Sequence, residues 1–157
     1  MTRRRLALVA LLLVALAVAV VYANPALLIT GYETTTVEAV DGDTGESLAT
    51  AEVRIADSPI KRYVGLSATD ELGANEGMLF VHDEPGEYGY VMRDMAFAID
   101  ILFVASDGEI TRIHEAEPES RPLTTYEGHG QYVLEVPLGW SANNDVDVGD
   151  RIEFDPE

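Results

Sequence analysis

Cysteine is absent from this chain of 157 residues. No disulfide framework, thiolate nucleophile or zinc–thiolate centre is therefore open to it, and its stability must come from the core. Cations are almost as scarce. Lys61 is the single lysine, and ten basic residues face 28 acidic ones. Three of the ten are Arg3, Arg4 and Arg5, which leaves seven against 28 for the remainder. So acidic a chain lacks the basic surface that releases counterions from a phosphate backbone, which excludes nucleic acid as a partner. An acid excess poor in lysine suits high salt, where repulsion between carboxylates is screened, and a halophilic source is the expectation.

Several catalytic signatures are missing too. There is no Gly-x-Ser-x-Gly elbow and no phosphate-binding glycine loop, so serine acyl transfer and nucleotide chemistry have no visible support. His82, His114 and His129 share no ligand spacing on a helix or strand, and no metal or cofactor is expected from them. Asp41–Glu46 opens like a calcium loop but lacks the later ligands. The second oxygen-rich loop, Asn143 to Asp150, is read the same way, as an acidic turn in an acidic protein.

What the chain does have begins at its N-terminus. Arg3–Arg5 precede an unbroken apolar run from Leu6 to Ala23. At ~1.5 Å rise per residue such a run nearly spans a ~30 Å hydrocarbon layer. Two readings stand: a signal peptide cleaved near Ala23, or a retained signal anchor, which the length of the run favours. In either case the arginines stay cytoplasmic and the rest faces outward, as a single-pass membrane protein or a secreted one. Residues 1–28 are assigned to this segment, 29–49 to a linker or first strand, and 50–157 to the folded domain.

Short strands dominate the remainder. Alternation or apolar runs mark Thr34–Val40, Ala51–Ala56, Gly77–Val81, Tyr88–Arg93, Ile99–Val104, Glu109–His114, Gln131–Val136 and Arg151–Phe154. Ser58-Pro59 reads as an N-cap followed by a first helical position, and Gly139–Asn144 as one short turn. The expected fold is mainly β: an antiparallel β-sandwich or partly open barrel with one or two short helices, preceded by a transmembrane helix.

The most informative stretch is Tyr90–Val104, YVMRDMAFAIDILFV, an apolar run holding only Arg93, Asp94 and Asp100 as charges. An unpaired buried charge is costly, so these residues are partnered, at an edge, or used. If Tyr90–Arg93 and Ile99–Val104 form a hairpin, Arg93 and Asp100 meet at its mouth and bridge, with Asp94 capping backbone amides. Seven ordered pieces, Arg62–Leu66 (RYVGL), Gly77–Val81 (GMLFV), Tyr90–Met95 (YVMRDM), Ile99–Val104 (IDILFV), Asp107–Ile110 (DGEI), Tyr132–Gly139 (YVLEVPLG) and Val148–Ile152 (VGDRI), resemble domain of unknown function family 192. With the acid excess, a haloarchaeal-type member of that family is the expectation. The resemblance implies a compact β-rich domain, often behind a signal peptide or anchor, without an established activity. Val91 stands where that family usually has tryptophan, so the resemblance implies no aromatic platform at this position.

The candidate binding residues are Arg62, Met78, Tyr90, Met92, Arg93, Asp94 and Asp100, around a small cleft. The leading expectation is a binding or accessory module for an unknown small molecule or envelope protein. An enzyme acting on a polar envelope substrate through Asp94 or Asp100 with Arg93 is the alternative, and a purely structural envelope protein the third. A binding module needs an open pocket around Arg93, and an enzyme needs in addition a carboxyl of strongly shifted pKa within it.

Overall fold

The computed structural model describes residues 3–155. The chain divides into two units, Met1–Gly31 and Tyr32–Glu157. The first consists of helix α1 (Arg3–Ala23) and a 3₁₀ turn at Pro25–Leu28. Its stretch Arg5–Ala23 is long and apolar enough to cross a membrane.

The second unit is a seven-stranded sheet made of β1 (Thr34–Val40), β2 (Ser47–Ala56), β3 (Glu76–Tyr90), β4 (Ile99–Val104), β5 (Ile110–Ala116), β6 (Tyr126–Pro137) and β7 (Arg151–Glu153), in the order β5-β4-β6-β3-β2-β1-β7. The outermost strands approach each other where Ile110 N–H donates to Asp150 O at 2.8 Å and Gly149 N–H to Ile110 O at 2.9 Å. Of the two architectures expected, the partly open barrel is therefore the one present. Helix α3 (Trp140–Asn143) follows β6.

Two corrections to the sequence reading concern strand pairing. First, β2 and β3 run parallel, with Val53 opposite Gly77 and Ile55 opposite Leu79. Parallel neighbours need a crossover connection, and helix α2 (Pro59–Val64) with the 3₁₀ turn Gly65–Ala68 supplies it. Its start is the one the sequence signals: the Ser58 hydroxyl accepts the Lys61 N–H, and Pro59 occupies the first turn. The end falls at Gly65, whose φ of 51° favours glycine and where a Cβ would lie 3.3 Å from the Phe80 ring.

Second, β3 and β4 do not form a hairpin, because β6 lies between them and pairs antiparallel with both. The strand ends at Tyr90. Val91–Ala98 then forms a loop that passes to the far side of β6, with Asp94 in the left-handed region at φ 55°.

Both faces of the sheet are buried. All seven strands contribute to one apolar cluster, which includes Val37, Val53, Leu79, Leu102, Leu134 and Ile152 and is plugged by Trp140. The other face carries Met78, Phe80, Ile99, Ile101, Phe103 and Val133, covered by Leu66 of the crossover and Met92 of the 91–98 loop. The glycine of the GMLFV run has a packing reason: a Cβ on Gly77 would lie 2.4 Å from the Glu135 carbonyl oxygen. The close approach of β3 to β6 around Glu135 thus depends on glycine there.

Candidate functional site

The crossover and the 91–98 loop do not close completely over their face of the sheet. Between them an open cleft of about 320 Å³ remains, walled by α2, the end of β3 and Val91–Met95. That volume lies at the lower end of what small-molecule sites use.

Glu135 sits at its floor. The residue is on the central strand β6, with Met78 of β3 and Ile101 of β4 as cross-strand neighbours. Alternation turns it to the same face as Val133, beneath the crossover. It is 6% exposed and lines the cleft, and no described residue hydrogen-bonds its carboxyl group. Burial without a partner disfavours the charged form and pushes its pKa up to about 8.

Around it stand polar groups held in place by the backbone and by each other. Arg62 projects from α2, its Nη1 donating to Val81 O at 2.7 Å and to Asp57 O at 3.1 Å. His82 and Tyr90 leave β3 on one face; His82 Nε2 is 2.9 Å from the Tyr90 hydroxyl, and its ring stacks on Tyr88 at 3.5 Å. Burial first, then the Arg62 charge, lowers the His82 pKa, so the ring is neutral at pH 7. Burial first, then the Glu135 carboxyl, raises that of Tyr90, while Arg62 opposes the shift. Arg93 donates to Tyr63 O and lies over the Tyr63 ring, 4.0 Å from its centre. Among the described residues neither arginine has a carboxylate within ion-pair distance.

The structure brings together three of the residues singled out from sequence: Arg62, Tyr90 and Arg93 all line the cleft. Met78 and Met92 lie beneath it in the apolar cluster, as packing rather than as walls. Asp94 is exposed in its turn. Asp100 faces the opposite side of the sheet, where its carboxylate accepts Gly139 N–H at 3.0 Å and Ser141 N–H at 2.9 Å. The expected Arg93–Asp100 bridge therefore does not form. With β6 inserted between the two strands the residues never meet, and each finds backbone partners instead. Asp100 holds the turn that carries Trp140 into the core.

The acidic loops have internal uses as well. Asp41 Oδ1 accepts the Thr44 N–H, the Asp43 N–H and the Thr44 hydroxyl, and Asp150 accepts Gly42 N–H and Asp147 N–H. Sequence reasoning missed Glu135, His82 and Tyr88. The signal for Glu135 was present in QYVLEV, where an acid interrupts an otherwise apolar strand between Leu134 and Val136.

The fold is shared with known proteins. The model of the family DUF192, described as an uncharacterised ACR, matches residues 40–154. A UPF0127 protein of Thermococcus sibiricus is 29% identical over 112 residues, covering 69% of each chain. A solved structure from Sinorhizobium meliloti 1021, described as a proposed transcription regulator, superposes with a TM-score of 0.73 at 30% identity, covering 80% of this chain and 97% of its own. Another from Novosphingobium aromaticivorans, of unknown function, gives 0.70 at 26% identity, covering 80% and 88%.

Proposed function

The chain belongs to the DUF192 family, and from that premise we propose that it is a binding module, held at a membrane by its N-terminal helix, whose ligand enters the cleft above Glu135. One observation carries the reading: a buried carboxyl without a hydrogen-bond partner forms the floor of an open cleft. A carboxyl on an apolar sheet face is costly to desolvate, and the cleft that leads to it leaves the group free to bond a ligand. The open pocket around Arg93 that a binding module requires is present, and a purely structural envelope protein would need neither the cleft nor the acid.

The second reading, an enzyme, gains support from the same residue. The carboxyl of raised pKa stands beside the hydrogen-bonded His82–Tyr90 pair, an arrangement suited to general acid catalysis. Glu135 would then take the role first given to Asp94 or Asp100, neither of which lines the cleft. The regulator description belongs to the Sinorhizobium protein. Seven basic residues against 28 acidic ones argue against a phosphate-backbone partner here.

The test uses the full chain purified from the membrane fraction in neutral detergent and labelled with ¹³C at the methionine methyls. Met95 lines the cleft and Met78 lies under it, so both report on occupancy. Benzylamine, benzyl alcohol and benzoate share a shape and differ in charge. At least one should shift the Met95 and Met78 signals saturably; silence from all three removes the binding reading. Intact mass on the same sample decides between a retained anchor, with residues 1–23 present, and cleavage.

The surface reading is tested separately. If the acid excess is adapted to high salt and the domain faces such an environment, the melting temperature should rise steeply between about 0.1 M and about 3 M KCl as carboxylate repulsion is screened. A flat response sinks the halophilic reading.

A further inference from the structure

The arginines in the cleft are its anomaly. Outside Arg3–Arg5 the chain has only seven basic residues, yet two of them, Arg62 and Arg93, line one cleft without a carboxylate partner among the described residues. Both guanidinium groups are fixed by backbone carbonyls, Arg62 through Asp57 and Val81 and Arg93 through Tyr63, so they are oriented before any ligand arrives. Of the Arg62 donors, Nη1 is used, and Nη2 and Nε bond to no described residue. Apart from Ser67, His82 and Glu135, the rest of the lining is aromatic, aliphatic or glycine, with Phe80, Tyr90, Leu66 and Met95 among it.

The acid at the floor selects among ligands. An ionised Glu135 would repel an anion and draw a cation, whereas a protonated one donates a hydrogen bond to an acceptor oxygen. A cationic ligand would meet two fixed positive charges. A dianion would have to place its second negative group against a lining that is otherwise largely apolar. Resting on the reading of the cleft as a ligand site, we infer that its ligand is a small organic monocarboxylate with an apolar body: the carboxylate is held by Arg62 and by a hydrogen bond donated from the Glu135 acid, and the body packs on Tyr90, Phe80 and Leu66.

The inference carries a pH signature. The titratable and charged groups that line the cleft with Glu135 are His82, Tyr88 and Tyr90 from β3, Arg62 and Tyr63 from α2 and Arg93 from the 91–98 loop. His82 is neutral at and above pH 7 and Tyr90 keeps its proton well into the alkaline range. Burial places the Glu135 midpoint, about 8, inside the interval from neutral to moderately alkaline pH, and Glu135→Gln isolates its share of any pH response. A ligand carboxyl near its ordinary pKa of about 4 is ionised throughout that interval.

The experiment titrates benzoate into the full chain in neutral detergent, read at the Met95 and Met78 methyls at about pH 6 and about pH 9.5. Benzoate affinity should fall about tenfold per pH unit above the Glu135 midpoint, hence at least tenfold across the interval. In Glu135→Gln, which keeps a donor but cannot ionise, benzoate should still bind and the pH loss should vanish. Arg62→Gln should lose at least tenfold at both pH values, with an unchanged methyl spectrum showing that it is folded. Benzoate binding that ignores pH in the natural chain overturns the inference. So does a response to benzylamine or benzyl alcohol without one to benzoate, which leaves cleft binding standing and the ligand class wrong. No response to any of the three overturns both.

Discussion

Replacing Glu135 by glutamine is expected to stabilise the protein by several kcal/mol at about pH 9 and to leave it little changed near pH 4. The sign follows from the carboxyl's shift. In the unfolded chain Glu135 ionises around its ordinary value of 4.5, and in the fold burial pushes that up to about 8. Between these values the unfolded state has released its proton and the folded state holds it, so raising the pH pulls the chain toward unfolding. The penalty grows by about 1.4 kcal/mol for each unit of pH across the window and levels off above about 8. Other acids titrate in the natural chain too, so the informative quantity is the difference between the two stability curves. It should be flat below about pH 4.5, rise to about pH 8 and be flat again. Denaturant unfolding at five or six pH values measures it. A difference independent of pH would show that Glu135 ionises freely and that its site is wet.

Replacing Asp100 by alanine should have the opposite effect, a loss of about 3 kcal/mol near neutral pH. Its carboxylate accepts two backbone N–H groups, of Gly139 and Ser141, and is 1% exposed. Each buried amide left without an acceptor costs about 1–3 kcal/mol. The damage should spread to Trp140, which lies between those amides in sequence and plugs the apolar cluster common to all seven strands. Tryptophan fluorescence, with Trp140 as the single tryptophan, follows the change directly. A double-mutant cycle separates this account from a salt bridge across a hairpin mouth. Because Arg93 bonds to Tyr63 O and not to Asp100, the effects of Arg93→Ala and Asp100→Ala should add. A coupling of 2 kcal/mol or more would mean that the residues do meet.

Local features of this fold were legible in the sequence, and long-range ones were not. Strand β4 runs from Ile99 to Val104, the limits its apolar run marks, with Asp100, Leu102 and Val104 on the face that alternation assigns. The helix start at Ser58-Pro59 is equally local, a cap and a fixed φ. The same helix was the clue to the parallel β2–β3 pair, since a helix between two strands brings the chain back to the edge it left; reading every short strand as part of an antiparallel sheet hid it. Strand β3 was expected in two pieces because His82-Asp83-Glu84-Pro85-Gly86 has the composition of a turn. Its pairing with β6 instead continues past a register shift between Val81 and Gly86, carrying His82, Tyr88 and Tyr90 to the cleft on one strand.

The candidate site was half legible for the same reason. Arg62 and Arg93 stand out as rare cations beside apolar residues, and the fold places both in the cleft. Glu135 reads as the polar side of an alternating strand, a position facing solvent if one side of the sheet is open. It is buried because the crossover, a feature fixed by contacts distant in sequence, covers that side. Asp100 looked exceptional for a charge in an apolar strand and is so, yet its partners, 39 and 41 residues away, are backbone amides that no side-chain pattern announces.

The account turns on the protonation state of one carboxyl, and its δ-carbon can be observed. Glutamate labelled with ¹³C at that position, in the full chain in neutral detergent, gives one signal that disappears in Glu135→Gln. On titration that signal should move with a midpoint near 8, well above the ordinary value of 4.5. A midpoint near the ordinary 4.5 would contradict the buried, protonated acid on which the proposed site rests.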